Sequence, residues 1–187
     1  MAGIVTKTGD QGTTGTLEGT RVAKSSTLID LNGTLDELNA NLGVCTALLK
    51  AAGDFPDKAD LIASIEWIQN GLYNMGTEVS SSFTIVRFTP QHPERLEAEL
   101  DKMTAKMPPQ TKFILYSGCL EATQIHTARA VCRRAERCFV RHLQEIGRTP
   151  YPDSYQFINR LSDYLFTLGR YLNQELGGTE SVAQAWS

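Results

Sequence analysis

Leu28–Leu49 reads LIDLNGTLDELNANLGVCTALL, and this stretch decides the fold. Leu28, Leu31, Leu35, Leu38, Leu42, Cys45 and Leu49 recur at alternating spacings of 3 and 4, which draws one apolar stripe down a long helix beginning after residue 26. Gly53 and Pro56 end it. The same period returns downstream. Leu61, Ile65, Ile68, Leu72, Met75 and Val79 form a second stripe. A shorter helix starts near Pro93, carries Leu96, Leu100, Met103 and Met107, and is stopped by Pro108-Pro109. Ile125, Ala128, Cys132, Ala135, Phe139, His142 and Ile146 mark a fourth helix that ends at Gly147. Ile158, Leu161, Leu165, Leu168, Leu172 and Leu176 mark a fifth, with Asp153 or Ser154 as N-cap and Gly177-Gly178 as its end. Seam spacings near 3.5 favour shallow crossing angles, so the expected fold is all-α, an antiparallel five-helix bundle. Phe83–Phe88 (FTIVRF) has strand-like composition but stands alone, and is expected to form a packed loop.

A chain of 187 residues with 41% hydrophobic and 21% charged residues has the make-up of one globular domain rather than of a disordered polymer. It divides into an N-terminal segment (1–26), the helical bundle (27–178) and a polar tail (179–187) that carries Trp186 and is expected to be mobile. A net charge of −3 lacks the basic excess of a nucleic-acid-binding domain. No apolar run approaches the ~18 residues of a membrane span. Met1-Ala2-Gly3-Ile4-Val5 lacks the long apolar region of a signal peptide, so no membrane association and a cytoplasmic location are expected. Cys45, Cys119, Cys132 and Cys138 include no Cys-x-x-Cys pair and read as reduced, structural residues. The histidines, His92, His126 and His142, form no Glu-x-x-His pair, so the di-iron signature of many bundles is missing and no metal centre built from protein side chains is expected.

Residues 1–26 lack periodicity and are rich in Thr, Gly and Lys. Thr6-Lys7-Thr8-Gly9-Asp10-Gln11-Gly12-Thr13-Thr14-Gly15-Thr16 is followed by Arg21 and Lys24. Glycines let backbone N–H groups turn onto one anion, while hydroxyls and ammonium groups add donors and charge, which is the chemistry a polyphosphate needs. It is not a Walker A loop, and taken by itself such a segment is more often a frayed terminus than a binding loop. The fourth helix supplies a second cationic cluster. Arg129, Arg133 and Glu136 share a face beside the apolar stripe, with Arg137 one turn on. Glu136 is the one acid among five arginines between residues 129 and 141, which leaves their repulsion poorly offset without an external anion. The alternative is a solvated face laced with helical ion pairs of ~0.2–0.5 kcal/mol each. Asn159, Arg160 and Asp163 border the core of the fifth helix, as Asp36 and Asn39 do in the first. Gly33 and Gly43 mark either a close approach or ordinary tolerance. Between Pro108 and Cys119, the apolar run Phe113-Ile114-Leu115-Tyr116 is either packing over the bundle end or a wall for a large apolar ligand.

Taken in order, Thr-Lys-Thr-Gly-Asp-x-Gly-Thr-Thr, Arg-Val-x-Lys, Gly-Thr-x-Asp-Glu-Leu-Asn, Phe-Ile-Leu, Arg-x-Val-Cys-Arg-Arg-Ala-Glu-Arg and Asn-Arg-Leu-Ser-Asp-Tyr-Leu-Phe resemble the ATP:cob(I)alamin adenosyltransferases of the propanediol-utilisation type. The likeness runs from about residue 4 to residue 177. It implies a ferritin-like five-helix bundle with an irregular ATP-binding N-terminus, assembled as a homotrimer with active sites between subunits. The implied reaction moves the 5′-deoxyadenosyl group of ATP onto the cobalt of cob(I)alamin and releases tripolyphosphate. Carried over by position, Thr6, Lys7, Thr8, Gly9, Asp10, Thr13, Thr14 and Lys24 would wrap the triphosphate, with Mg²⁺ among the phosphates. Arg133, Glu136 and Arg137 would hold ATP from the helix side, and Asn159 would contact the nucleoside. Asp36 and Arg129 match a pair that joins subunits and shapes the site. Phe113 matches the aromatic that displaces the lower ligand of cobalt, and Leu115 and Tyr116 would line the corrinoid. The resemblance implies partners no wider than ATP, the corrinoid and an adenosylcobalamin-dependent enzyme that receives the product.

Two stretches depart from the family pattern. Tyr116-Ser117-Gly118 stands where Pro-Gly-Gly is usual, and Glu18-Gly19-Thr20 where a Gly-Gly pair is common. The first falls on the corrinoid loop and motivates an alternative function, a nucleotide- and corrinoid-binding trimer that holds or delivers adenosylcobalamin with little turnover.

Overall fold

The structure, a computed structural model, describes residues 5–186. A short hairpin, β1 (Thr13–Gly15) and β2 (Arg21–Ala23), precedes five helices: α1 (Thr27–Ala51), α2 (Lys58–Ser80), α3 (Gln91–Thr104), α4 (Leu120–Glu145) and α5 (Asp153–Glu175). The hairpin pairs antiparallel with Thr14 opposite Val22, so the N-terminal segment is less irregular than its sequence suggests. Every residue of the first stripe except Leu28 is buried, because spacings of 3 and 4 keep them on the one side of α1 that α2 and α4 cover. α4 packs on α5 and α5 on α3.

Cross-helix partners give the directions. Asn32 meets Ser80 and Lys50 meets Glu66, so α1 and α2 are antiparallel. Asp30 meets Arg141 and Glu37 meets Arg134, so α1 and α4 are too. Cys132 reaches Ile158 and Cys119 reaches Leu172, which makes α4 and α5 antiparallel. α3 departs from this alternation. Its Glu97 pairs with Arg160, and Lys106 just beyond its end lies over Tyr171, so α3 runs parallel to α5. The connection from α3 to α4 therefore stays at the end of the bundle where α5 finishes, and Phe113 is carried there.

Local chemistry adjusts several expected boundaries. α5 starts at Asp153 with Pro152 as N-cap, so neither Asp153 nor Ser154 caps it; proline at a helix entrance has no N–H to leave unpaired. α3 ends at Thr104, and Met107 follows in a turn. α4 begins at Leu120, a full turn before its first stripe residue. Gly147 and Gly177 take the left-handed conformation that closes α4 and α5, with φ of 64° and 70°. Phe83–Phe88 is a loop, as its isolation predicts. The buried Glu78 carboxylate accepts from the backbone N–H groups of Arg87 and Phe88. That satisfies donors the loop would otherwise bury, and lets Phe83 stack on Phe139 and Phe88 meet Phe157 edge to face. No close approach explains Gly33, where a Cβ would meet nothing within 4 Å, and at Gly43 it would make only an ordinary contact with Gln69 at 3.6 Å.

The tail makes specific contacts with the rest of the chain. Leu115 N–H donates to Ser181 C=O (2.8 Å) and Ala183 N–H to Phe113 C=O (2.9 Å), and Glu180 pairs with Arg170 (3.3 Å). Residues 180–183 thus lie beside the Phe113 loop through one antiparallel bridge, Ile114 opposite Val182.

Candidate functional site

The N-terminal loop is built around Arg21. Its Nη2 donates to the carbonyls of Thr8 (2.6 Å) and Thr13 (3.1 Å) and to Thr13 Oγ1 (2.7 Å), which folds residues 8–13 into a closed turn on the hairpin. Gly12 at φ 74° makes the reversal, and Lys24 N–H donates to its carbonyl (2.9 Å). The Lys24 side chain lies flat on Gly9. A Cβ there would sit 3.0 Å from Nζ, so Gly9 makes room for the ammonium at the mouth of the turn. Thr6 and Thr8 share a hydroxyl hydrogen bond (2.9 Å), and Thr6, Lys7, Thr8 and Asp10 are exposed. Thr13 and Thr14 are half-buried on β1. The structure thus gathers Lys24 with Gly9 and the threonines.

On α4 the arginines divide into two sets. Arg134 is ion-paired with Glu37, and Arg141 with Asp30 at 3.0 Å, both carboxylates from α1. The expectation that one acid serves five arginines is corrected by these partners, which lie about a hundred residues away in sequence. Arg133 and Arg137 are different: both are exposed, and neither has a carboxylate partner among the described residues. Arg137 Nη1 donates only to the Arg133 carbonyl (2.9 Å). Between them Glu136 Oε1 accepts from Asn159 Nδ2 (3.0 Å), so two free guanidiniums flank an oriented carboxylate–carboxamide pair across the α4/α5 seam. Asn159 Oδ1 also accepts from Arg160 (3.2 Å), which fixes which way its amide points.

These two clusters stand on different faces of the subunit. The hairpin covers a cavity of about 440 Å³ with α1 and α2, lined by Gly15, Leu17, Asp36, Leu72, Tyr73 and Thr77 among others. Asp36 is there, whereas Arg129 sits on α4 beneath the Phe113 loop and donates to Tyr116 Oη (2.8 Å). Exposed apolar side chains mark both faces: Leu17, Val44 and Tyr73 on one, Phe113, Leu115, Tyr116 and Leu120 on the other. Phe113 is 84% exposed, although its backbone is held by the tail.

Sequence patterns alone missed Asn173 and His126 around that loop, and Arg21 in the N-terminal turn. Asn173, buried in α5, accepts from Cys119 N–H (2.9 Å) and donates to the Ser117 carbonyl (2.9 Å), and Gly118 and Gly178 make room for it. A buried amide at the end of a leucine stripe is the signal that could have found it. Arg21 shows only as one more cation in a basic segment. His126 reads as an apolar-face histidine, yet both ring nitrogens are buried without a partner. Burial, and secondarily the Arg129 charge, pulls its pKa down to about 4, so the ring is neutral at pH 7. The thiols have the opposite shift. Burial pushes Cys45 up to about 12 and raises Cys119, Cys132 and Cys138 as well, so none is poised as a thiolate. Among the described residues no group of three or more His, Cys, Asp or Glu is placed to hold a metal ion, and no helix is long and apolar enough to cross a membrane.

The family model for Cobalamin adenosyltransferase matches residues 4–172. A Cobalamin adenosyltransferase of Cupriavidus metallidurans is 39% identical, covering 98% of this chain and 95% of that protein. The Corrinoid adenosyltransferase MMAB of Homo sapiens is 36% identical over 96% of this chain and 72% of its own length. Among solved structures, a variant PduO-type ATP:corrinoid adenosyltransferase from Lactobacillus reuteri complexed with cobalamin and ATP superposes with a TM-score of 0.87. It is 30% identical, and the match covers 98% of this chain and 100% of that one. Helix order, N-terminal loop and α4 arginines thus accompany a match over nearly the whole length, and the chain belongs to the cobalamin adenosyltransferase family.

Proposed function

We propose that this chain transfers the 5′-deoxyadenosyl group of ATP to the cobalt of a reduced corrinoid, cob(I)alamin, giving adenosylcobalamin and tripolyphosphate. The observation that carries the reading is the division of the α4 arginines. Among the described residues Arg133 and Arg137 have no carboxylate in ion-pair contact, and they stand beside the Glu136–Asn159 pair on a chain of this family. Guanidinium groups suit phosphate oxygens because their N–H forks match two acceptors at once.

Cobalt(I) is itself the nucleophile, so no serine, cysteine or histidine base is needed. The protein has two tasks: to hold C5′ of ATP in line with cobalt, and to neutralise charge gathering on the departing tripolyphosphate. Thr6, Lys7, Thr8, Gly9, Asp10, Thr13, Thr14 and Lys24 wrap the triphosphate, and Arg133 and Arg137 close on it from α4. Glu136 and Asn159 orient the nucleoside. Mg²⁺ bound with the nucleotide would offset negative charge on its phosphates, between the N-terminal loop and Arg133 and Arg137. Phe113, Leu115 and Tyr116 form the apolar wall for the corrin ring, and Phe113 packs beneath it in place of the lower ligand.

One subunit holds the loop and Asp36 on its α1/α2 side, and the arginines and Phe113 on its α4/α5 side. A homotrimer in which the α1/α2 face of one copy meets the α4/α5 face of the next completes the site, with Asp36 opposite Arg129 across the interface. The apolar side chains exposed on both faces support this. The reading extends to a cytoplasmic enzyme that hands its product to an adenosylcobalamin-dependent partner.

The test is anaerobic incubation of the full chain with ATP, Mg²⁺, cobalamin and a strong reductant, followed by absorbance. Adenosylcobalamin should accumulate over many turnovers. Calorimetric binding of adenosylcobalamin with negligible turnover would favour a carrier, and neither binding nor turnover would refute both readings.

A further inference from the structure

Tyr116 stands where the family pattern has proline, and the structure gives it neighbours that a proline could not use. Its ring lies on the His126 imidazole, with centroids 4.8 Å apart and planes at 27°. The same imidazole lies against α5 at Gly169, where a Cβ would come within 2.6 Å of the ring. Tyr116 and the α5 backbone therefore both rest against His126, and Gly169 is the residue that lets α5 come so close. Arg129 closes the side. Its guanidinium lies 5.5 Å from the Tyr116 ring centre and 5.1 Å from that of Phe166, and Nη1 donates to Tyr116 Oη (2.8 Å).

The stack is not built for stability alone. Both nitrogens of His126 and Nε of Arg129 are buried without partners, and unpaired buried polar groups work against folding. What the cluster gains is a fixed point for the loop. On its other edge the loop is paired with the tail through Leu115 and Ser181 and through Phe113 and Ala183. Phe113 belongs to the tail-paired stretch just ahead of Tyr116, and its side chain is exposed.

We propose that Tyr116 is a positioning residue: docked on His126 and Arg129, it sets how the Phe113 loop meets the corrinoid, and so governs corrinoid use without governing ATP use. This rests on the function proposed above. One of the five N–H groups of Arg129 serves Tyr116, which leaves others for Asp36 of a neighbouring copy. The corrinoid loop and the subunit interface would then share one guanidinium.

The experiment has two readouts on Tyr116→Phe, which keeps the stacking and loses the hydroxyl, and on Tyr116→Ala, which loses both. Hydrogen exchange on the protein without ligands reads the fixing directly. The amides of Leu115 and Ala183 should lose roughly tenfold in protection in Tyr116→Ala and roughly threefold in Tyr116→Phe, losses suited to a half-exposed aromatic contact and one charge-assisted hydrogen bond. Steady-state kinetics reads its use. The KM for cob(I)alamin should rise by similar factors while the KM for ATP stays within about twofold. Unchanged exchange in both variants overturns the proposal whatever the kinetics show. Changed exchange with equal effects on both substrates overturns the link to the corrinoid. Changed exchange in the variants, beside a wild type that makes no adenosylcobalamin, keeps the docking and refutes the function proposed above.

Discussion

His126 should make the protein lose stability on the acid side of neutrality, and the loss can be worked from the structure. The ring is 2% exposed, has no hydrogen-bond partner for either nitrogen, and faces Arg129. Its folded-state pKa of about 4 lies below the unfolded value near 6.5, so between these the unfolded chain binds the extra proton. Stability must then fall as pH drops through that window, by about 2 kcal/mol between pH 8 and pH 5 and about 3 kcal/mol once both states are protonated. His142, buried and also shifted down, contributes with the same sign. The perturbation is His126→Phe, which keeps a ring between Tyr116 and Gly169 and removes the titrating nitrogens. Replacing orphaned polar atoms by an apolar ring need not cost stability at neutral pH. Urea unfolding of both proteins, from pH 8 to pH 5 at one fixed protein concentration, isolates the effect. The contribution of His142 is common to both proteins and cancels in the difference. The wild type should lose about 2 kcal/mol more than the variant over that range. Parallel curves would refute the account of His126 as a buried neutral imidazole.

Three further outcomes follow from the geometry. Arg133→Ala should lower adenosylation by at least about a hundredfold, as removal of one charge-stabilising donor does elsewhere, with the urea midpoint unchanged because the side chain is exposed; wild-type kinetics would refute its role. Phe113→Ala should impair corrinoid adenosylation far more than ATP binding, measured by kinetics and by calorimetry with ATP alone, and an equal loss in both would contradict its place beneath the corrin. Asn173→Ala strips partners from Cys119 N–H and Ser117 C=O, and should cost about 1–3 kcal/mol in urea unfolding together with faster proteolysis between residues 108 and 119; a change below about 0.5 kcal/mol would mean that water replaces the amide.

The local features of this chain were readable without coordinates. Leu31, Leu35, Leu38, Leu42, Cys45 and Leu49 are buried as their spacing predicts, since a helix turns a spacing of 3 or 4 into a shared face wherever it packs. The Thr/Gly/Lys segment folds into a turn because its glycines allow it, and Lys24 approaches Gly9 within that turn. What stayed hidden were pairings between distant segments. Arg134 and Arg141 look no different from Arg133 and Arg137 in the string, and only the register of α4 against α1 sets Glu37 and Asp30 opposite the first pair. The parallel run of α3 beside α5 is equally invisible, because each stripe fixes a face and not the neighbour or direction it meets.

The sequence by itself determined the five helices, the separation of an apolar stripe from a cationic one on α4, and the family motifs from Thr6 to Phe166, since all of these are written within a few turns of chain. Tertiary structure alone decided which arginines remain free for an anion, that the tail braces the Phe113 loop, and that Tyr116 has a histidine and an arginine to rest on. The physical reason is one of range. Periodicity and turn chemistry act between residues three or four apart, whereas a charge is neutralised, or a loop held, only by whatever group packing brings within hydrogen-bonding distance.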